Sequence, residues 1–344
     1  MKKYIYCVGL HQDGGLNILN KFLRYKKNDH ILIIDSRIRS KINEKKNIVF
    51  VKENLIIRLL NLIYLSFKIK KEDHIIFLSG IPPIIKFKAT TSIVFQNANL
   101  FRDFYKVNFY KWFFSKDSLR FLAFMYGKKN IENWYILSPI GKKIISKKLK
   151  KYVNIKILDI FEDYKKNESN NFRKIKYDLI YPASLMEHKN HKILIDSMIL
   201  LSKENIFPSL LLTLDDNSYR QINIDKIIEK YNLKIFNYFE PIQIKFEKIY
   251  KECESLIYVS SSETIGLPIL EAYQNGLKII APKLDYSQQF IKPHFLFDLN
   301  DKQDLCNKIK SCLKKRHDFL DHDNKNFITN SNTISLYEFF SKII

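Results

Sequence analysis

Residues 260–276 read SSSETIGLPILEAYQNG and hold two carboxylates, Glu263 and Glu271, eight positions apart on either side of a Gly-Leu-Pro turn. Pro268 suits the first turn of a helix and Gly276 its C-terminal stop, so the spacing predicts a short helix beginning near Leu267. At such a start the amides of Ile265, Gly266 and Leu267 have no intrahelical acceptor and sit at the positive end of the helix dipole. They form a site for a phosphate or diphosphate. Glu263, in the loop, then faces whatever is attached to that phosphate. Glu271, one turn in, reaches the opposite flank, where a carboxylate suits hydroxyl groups such as those of ribose. A single glutamate at a helix start is usually there for the dipole alone. The strand in front and the Gly-Leu-Pro turn argue for more.

That strand, SLIYVS, belongs to a series that must position the loop. In the second half YDLIYPAS, SLLLTLD, KIFNYF, SLIYVS, LKIIAP and HFLFDL read as strands with helices between them. In the first half the strands are KYIYCVG, HILIIDS, NIVFV, HIIFLSG, TSIVFQ and WYIL, separated by helical stretches such as LNILNKFLRY and ENLIIRLLNLIYLSF. Near-continuous apolar strands alternating with helices describe parallel sheets covered on both faces. The polar, aperiodic stretch FEDYKKNESNNFRKIK separates the two series. The fold class is therefore α/β, with two doubly wound Rossmann-like domains, in which ligands bind beyond the carboxyl ends of the strands. The divisions expected are 1–165, a linker over 166–176, 177–325, and a C-terminal helix over 326–344 returning to the first domain.

At 344 residues the chain is long enough for two cores, and 46% hydrophobic with 14% aromatic residues is a globular composition. The 58 Lys and Arg against 36 Asp and Glu give a net charge of +22. Such a charge favours anionic partners, although a Lys-, Asn- and Ile-rich composition explains much of it as well. Cys7, Cys253, Cys306 and Cys312 are scattered without a CxxC pair, which points to neither zinc nor disulfides and fits a reducing cytoplasm. The opening MKKYIYCVGLHQDGG starts like a signal peptide, but its apolar run is cut at His11 and Asp13 and no cleavage site follows. No apolar run approaches the ~18 residues of a membrane span. The expected location is cytoplasmic, with or without attachment to the inner face of the membrane.

Taken in order, SSSETIGLPILEA, LIYPASLMEHKNHKILIDSMILL, LLLTLDD, IFNYFEPIQIKFEKIYKECESLIYVSSSETIG and GLKIIAPKLDYSQQFI resemble the second domain of the retaining glycosyltransferases of the group 1 (family four) type. In the first half the resemblance is architectural. It implies a GT-B fold, two Rossmann-like domains facing across a cleft, and transfer of a sugar from a nucleotide-sugar donor to a glycan or lipid-linked glycan. No cofactor or metal is implied. Residue by residue, Glu263 matches the first Glu of the family's Glu-x7-Glu motif, which contacts the donor sugar, and Glu271 the second, which holds the ribose. Lys189 matches the basic residue that neutralises the departing diphosphate. Tyr238 falls on the donor side. Ala183-Ser184 stands where the family usually has Gly-Arg, so Ser184 offers a hydrogen bond to the phosphates but no charge.

The likeness also implies that the Gly14-Gly15 loop closes on the donor diphosphate; a plain tight turn is the other reading of these glycines. His11 and Asp13 are candidates for facing the acceptor. Many relatives place a His where this chain, by strand order, has Gln96 and Asn97. Side-chain amides bind hydroxyls but are no general base. The aromatic and basic stretch 100–129 reads as core helices with snorkelling cations, as an anionic-membrane surface, or as a single-stranded nucleic-acid site. The membrane option fits a lipid-linked acceptor, and the resemblance, together with the basic charge and the absence of a span, implies cell-surface polysaccharide assembly (lipopolysaccharide, O-antigen or capsule) and an anionic membrane surface as partner. Two other functions compete: a nucleotide-sugar epimerase of the same fold, and a basic nucleic-acid-binding protein, which lacks any recognisable base-reading motif.

Overall fold

The structure, a computed structural model, describes residues 1–10, 13–25, 27–42, 46–78, 80–96, 116–149, 153–160, 174–238, 246–315 and 333–343. The side chains of 13, 14, 17, 41, 116, 117, 246, 247, 342 and 343 are excepted. The chain forms two compact units, one of residues 1–160 with 330–344 and one of residues 161–329. The expected linker lies outside the described residues except for 174–176.

The first unit is built on β1 (Lys3–Cys7), β2 (His30–Asp35), β3 (Ile48–Val51), β4 (His74–Phe77), β5 (Thr90–Phe95), β6 (Asn133–Ile136) and β7 (Asn154–Asp159). Its described helices are α1 (Asp13–Arg24), α2 (Leu55–Lys68), α3 (Lys116–Gly127) and α4 (Pro139–Ser146). The second unit contains β8 (Tyr177–Tyr181), β9 (Leu210–Leu212), β10 (Ile235–Asn237), β11 (Cys253–Ile257), β12 (Lys278–Pro282) and β13 (Phe295–Phe297). Its helices are α5 (His191–Lys203), α6 (Asp216–Gln221), α7 (Ile224–Tyr231), α8 (Phe246–Lys251), α9 (Leu267–Gln274) and α10 (Lys302–Lys314).

Near the C-terminus the chain returns to the first unit with a further strand, β14 (Thr333–Ser335). The strand order is β14-β7-β6-β5-β4-β1-β2-β3 in the first sheet and β10-β9-β8-β11-β12-β13 in the second. Every pairing is parallel, as between β1 and β2, β1 and β4, and β8 and β11. Within each unit the chain thus runs outward from a central strand, returns, and continues on that strand's other side. The order reverses between β1 and β4 in one sheet and between β8 and β11 in the other, the position where such sheets bind ligands.

Alternation along the strands divides the first core into two layers. Tyr4, Tyr6, Phe77, Phe95 and Trp134 form one buried cluster with Leu65 of α2 and Phe124 of α3, so these helices cover the same face of the sheet. On the other layer Phe22 of α1 packs edge-on against Phe339, with ring centroids 5.9 Å apart, and Tyr135 meets Phe339 at 4.7 Å.

Two elements differ from the sequence reading. NIKILD forms β7, whose apolar run is interrupted by the exposed Lys156. Of the C-terminal segment, expected as one amphipathic helix over 326–344, the described residues start with the β14 strand, pairing Thr333 with Ile157 and Ser335 with Asp159. Only three residues of α-helix and a π-turn follow, carrying Phe339 and Phe340. The unpaired edge of β7 accepts the β-branched Thr333-Ile334, and partnering that edge outweighs the helical period of the short segment.

Phe339 is wholly buried between α1 and β6. Replacing it with alanine removes contacts to Phe22, Tyr135 and Phe340, and should lower stability by about 3–5 kcal/mol. Urea unfolding followed by circular dichroism checks this, the loss appearing in the transition that reports the first unit.

Candidate active site

The loop after β8 and the loop after β11 leave adjacent strands at the reversal point of the second sheet, and they are stitched together. His188 O accepts from Ser261 N (2.7 Å), Ser260 Oγ (3.1 Å) and Ser261 Oγ (3.2 Å). Asn190, in the left-handed conformation at φ 52°, ends a 3-10 turn over Glu187–Lys189 and donates from Nδ2 to Val259 O at 3.3 Å. That turn aims Lys189 at Glu263. Lys189 Nζ donates to Glu263 Oε1, and Tyr258 OH donates to the same oxygen at 2.9 Å. Lys189 Nζ also lies 3.3 Å from Tyr258 OH. Tyr181 OH anchors the Lys189 carbonyl from below. Both members of the ion pair are largely enclosed, at 15% and 14% side-chain exposure. Burial, with the negative Glu263 next to it, pushes the Tyr258 hydroxyl well above its ordinary range, so it stays a donor.

The helix start is held with equal care. Gly266 takes φ 74° and ψ 48° immediately before α9, and a β-carbon there would come within 3.3 Å of the Tyr286 ring. A side chain at this position would be both strained and crowded. Tyr286 OH donates to Ser260 O at 2.6 Å, while Gln289 Nε2 donates to Thr264 O (2.9 Å) and Ile265 O (3.1 Å). These side chains occupy the loop's carbonyls. The amides of Ile265, Gly266 and Leu267 make no hydrogen bond among the described residues. On α9, Glu271 Oε2 accepts from Tyr250 OH at 2.9 Å, so a buried tyrosine orients the second carboxylate separately from the first. Ser184 is exposed past the end of β8 and makes no hydrogen bond among the described residues. Tyr238 follows β10, two strands away from β8, with its amide donating to Leu212 O at 2.9 Å.

The arrangement therefore gathers Lys189 and Glu263 into direct contact, with Glu271 on the helix beginning just beyond. Sequence reading placed the two acids and the lysine but gave Lys189 and Glu263 separate partners. It passed over Tyr258, Tyr181, Tyr250, Tyr286 and Gln289. The tyrosines carried one usable signal, since a tyrosine in a strand read as fully buried needs a partner for its hydroxyl.

In the first unit Gly14 and Gly15 lie in the first turn of α1, not in a loop, and a β-carbon on Gly15 would sit 3.2 Å from Leu10 Cδ2. Close packing of the helix on the loop after β1 is thus one reason for glycine there. Gln96, just past β5, donates from Nε2 to Leu78 O at 3.3 Å. His11, Asn97 and the side chain of Asp13 lie outside the described residues, as do residues 100–115 of the aromatic basic stretch.

A second polar cluster sits at the carboxyl end of β2. Buried Asp35 accepts from Gly9 N (3.2 Å), Arg37 Nε (2.8 Å) and Arg58 NH2 (2.9 Å). Burial alone would raise the Asp35 carboxyl, but the hydrogen bonds and charges of Arg37 and Arg58 bring it down to about 2. Its effect is to fix the loop that follows β1 and to tether α2.

His191, the first residue of α5, packs its ring 4.9 Å from Tyr181. Burial, aided by the charge of Lys189, lowers it to about 4 from the ordinary 6.5. Between these values the unfolded chain binds a proton that the folded one refuses, so stability is full above about pH 6.5 and falls as the pH drops toward 4. The loss approaches roughly 3 kcal/mol. Denaturant unfolding from pH 7 to 4.5 should show this, and His191→Phe should flatten the slope by up to one proton.

Residues 162–333 match the family described as glycosyl transferases group 1. No curated protein matches the sequence. Among solved structures, Anabaena HepE in complex with UDP and glucose is similar at 14% identity and a TM-score of 0.69, over 95% of this chain and 93% of that one. Sucrose-phosphate synthase from Thermosynechococcus elongatus is similar at 12% identity and 0.65, over 95% and 93%. The lipopolysaccharide outer core galactosyltransferase WaaB is similar at 13% and 0.56, over 95% and 98%. At such identities the likeness is one of fold, and the fold is GT-B. The matched half of the sequence includes the stitched loops, the Lys189–Glu263 pair and the α9 start, and the chain belongs to the group 1 glycosyl transferases.

Proposed function

We propose that the protein is a retaining, metal-independent glycosyltransferase that moves a sugar from a nucleoside-diphosphate sugar to a lipid-linked glycan during cell-surface polysaccharide assembly. The observation that carries this reading is the Lys189–Glu263 pair at the sheet's reversal point, next to the unoccupied amides opening α9. A diphosphate on those amides lies within reach of the Lys189 ammonium. A sugar attached to it extends toward Glu263, and the nucleoside's ribose toward Glu271. The solved HepE complex with UDP and glucose supports a nucleoside-diphosphate donor, and WaaB, a lipopolysaccharide galactosyltransferase, supports the setting.

In the proposed reaction the bond from the anomeric carbon to the departing diphosphate oxygen breaks as the acceptor oxygen attacks from the same face. The acceptor's proton passes to that diphosphate oxygen, so no protein base is needed and Gln96 is compatible with the chemistry. Lys189 and the α9 amides carry the charge that develops on the leaving group. With serine at 184 they carry more of it than an additional arginine would leave them. Glu263, fixed by Tyr258, binds the sugar hydroxyls and holds Lys189 in place.

Transfer assays with a panel of nucleoside-diphosphate sugars and lipid-linked acceptors test the reading. Lys189→Ala should lower kcat about 10²–10³-fold, the scale of one lost charge-stabilising contact. Glu263→Ala should abolish transfer with the fold retained, and Glu271→Ala should mainly raise the donor KM. Chelator should leave the rate unchanged, and the product should keep the donor's anomeric configuration by NMR. An inverted product, or wild-type rates from Glu263→Ala, overturns the mechanism. Release of epimerised sugar nucleotide without acceptor product overturns the transferase assignment.

A further inference from the structure

Helix α2 carries its apolar residues on the wrong side for a helix that only covers a sheet. Leu65 is buried in the core and Arg58 reaches inward to Asp35, which fixes the orientation of the helix on the sheet. Directly opposite, Ile56, Leu60, Ile63 and Phe67 follow one another at intervals of four, three and four residues, which is one continuous face of a helix. Ile56, Leu60 and Phe67 are 67%, 58% and 85% exposed. Scattered exposed apolar side chains are ordinary, but a full stripe of them without one charged residue is not.

Charge surrounds the stripe. From 52 to 73 the chain has Lys52, Arg58, Lys68, Lys70 and Lys71 against Glu53, Glu72 and Asp73. Arg58 pairs with Asp35, Glu53 with Arg37, and the buried Asp73 accepts from the amides of Lys2 and Lys70, which leaves four exposed lysines against the exposed Glu72 at the two ends of the helix. Helix α3 covers the same face of the sheet and repeats the pattern. Its Leu119, Leu122 and Tyr126 are exposed at helical spacing, with the Lys129 ammonium 4.1 Å above the Tyr126 ring.

We infer that α2, with α3 beside it, docks the first unit on the surface of an anionic lipid bilayer. An apolar stripe flanked by lysines matches an interface in which acyl chains lie behind anionic headgroups. At 14 residues α2 is too short to cross the ~30 Å hydrocarbon core and lies in the plane of the interface. A two-fold dimer through this face would set each lysine cluster near its own copy, which charge disfavours. The inference stands on the surface of the first unit and not on the transfer reaction; a protein that docks but transfers nothing leaves it intact.

Flotation of the full-length protein with vesicles tests it, using phosphatidylcholine alone and phosphatidylcholine with about one third phosphatidylglycerol. The protein should float with the anionic vesicles only, less so as salt rises. Leu60→Asn/Phe67→Asn should weaken that binding at least about tenfold, since each side chain loses its apolar burial. Its melting temperature and its thermal shift with UDP should stay unchanged, because both residues are exposed. Failure of the wild type to float with anionic vesicles overturns the inference. So does a double variant that floats like wild type, which would leave charge alone responsible. A wild-type dimer that the double variant dissociates in sedimentation would make the stripe a self-interface instead.

Discussion

The Lys189–Glu263 ion pair joins two loops that the chain separates by more than seventy residues, and the rest of the second unit is arranged to make that meeting possible. Its members come from the loops that follow β8 and β11, which are neighbours only because the strand order reverses between them. A charged pair this enclosed needs its remaining hydrogen-bonding capacity filled. Tyr258 fills it from within β11's extension, and Tyr181 holds the lysine's own backbone. The two tyrosine rings meet edge-on at 5.9 Å, so the support is itself part of the core. The pair thus sits on a rigid floor, a suitable base for a charge that must be in place before a leaving group develops its own.

The same economy governs the helix start beside it. Tyr286 and Gln289, both from the segment after β12, occupy carbonyls of the 260–266 loop, while the left-handed Gly266 turns the chain into α9. Carbonyls of the loop are used internally, while the amides of Ile265, Gly266 and Leu267 make no hydrogen bond among the described residues. That asymmetry, more than any single residue, makes the region a receptor for anions. In the first unit the buried Asp35 performs a comparable task with opposite sign. It gathers Gly9, Arg37 and Arg58 at the end of β2 and thereby ties the β1 loop to α2. One carboxylate accordingly links the sheet's reversal point to the helix whose outer face is apolar.

Much of this was readable before any fold was known. Twelve of the strands were visible as β-branched apolar runs, and the acids, glycine and proline of 263–271 announced a helix start with a purpose. Strand β7 escaped because Lys156 interrupts its apolar run, and β14 because a three-residue strand has no period of its own. The outward stripe of α2 was legible as an apolar helix, but ENLIIRLLNLIYLSF is apolar almost all round and periodicity does not say which side meets the sheet.

By itself the sequence determined the class of fold, the order of its elements, and the residue types that make a diphosphate and a sugar plausible ligands, because those follow from local pattern and local chemistry. Only the tertiary structure decided that Lys189 and Glu263 touch, that Tyr258 orients one carboxylate and Tyr250 the other, and that α2 turns its apolar stripe to solvent. Each of those facts is a pairing across the chain. Such pairings depend on which strands lie side by side, and short-range spacing carries no record of that.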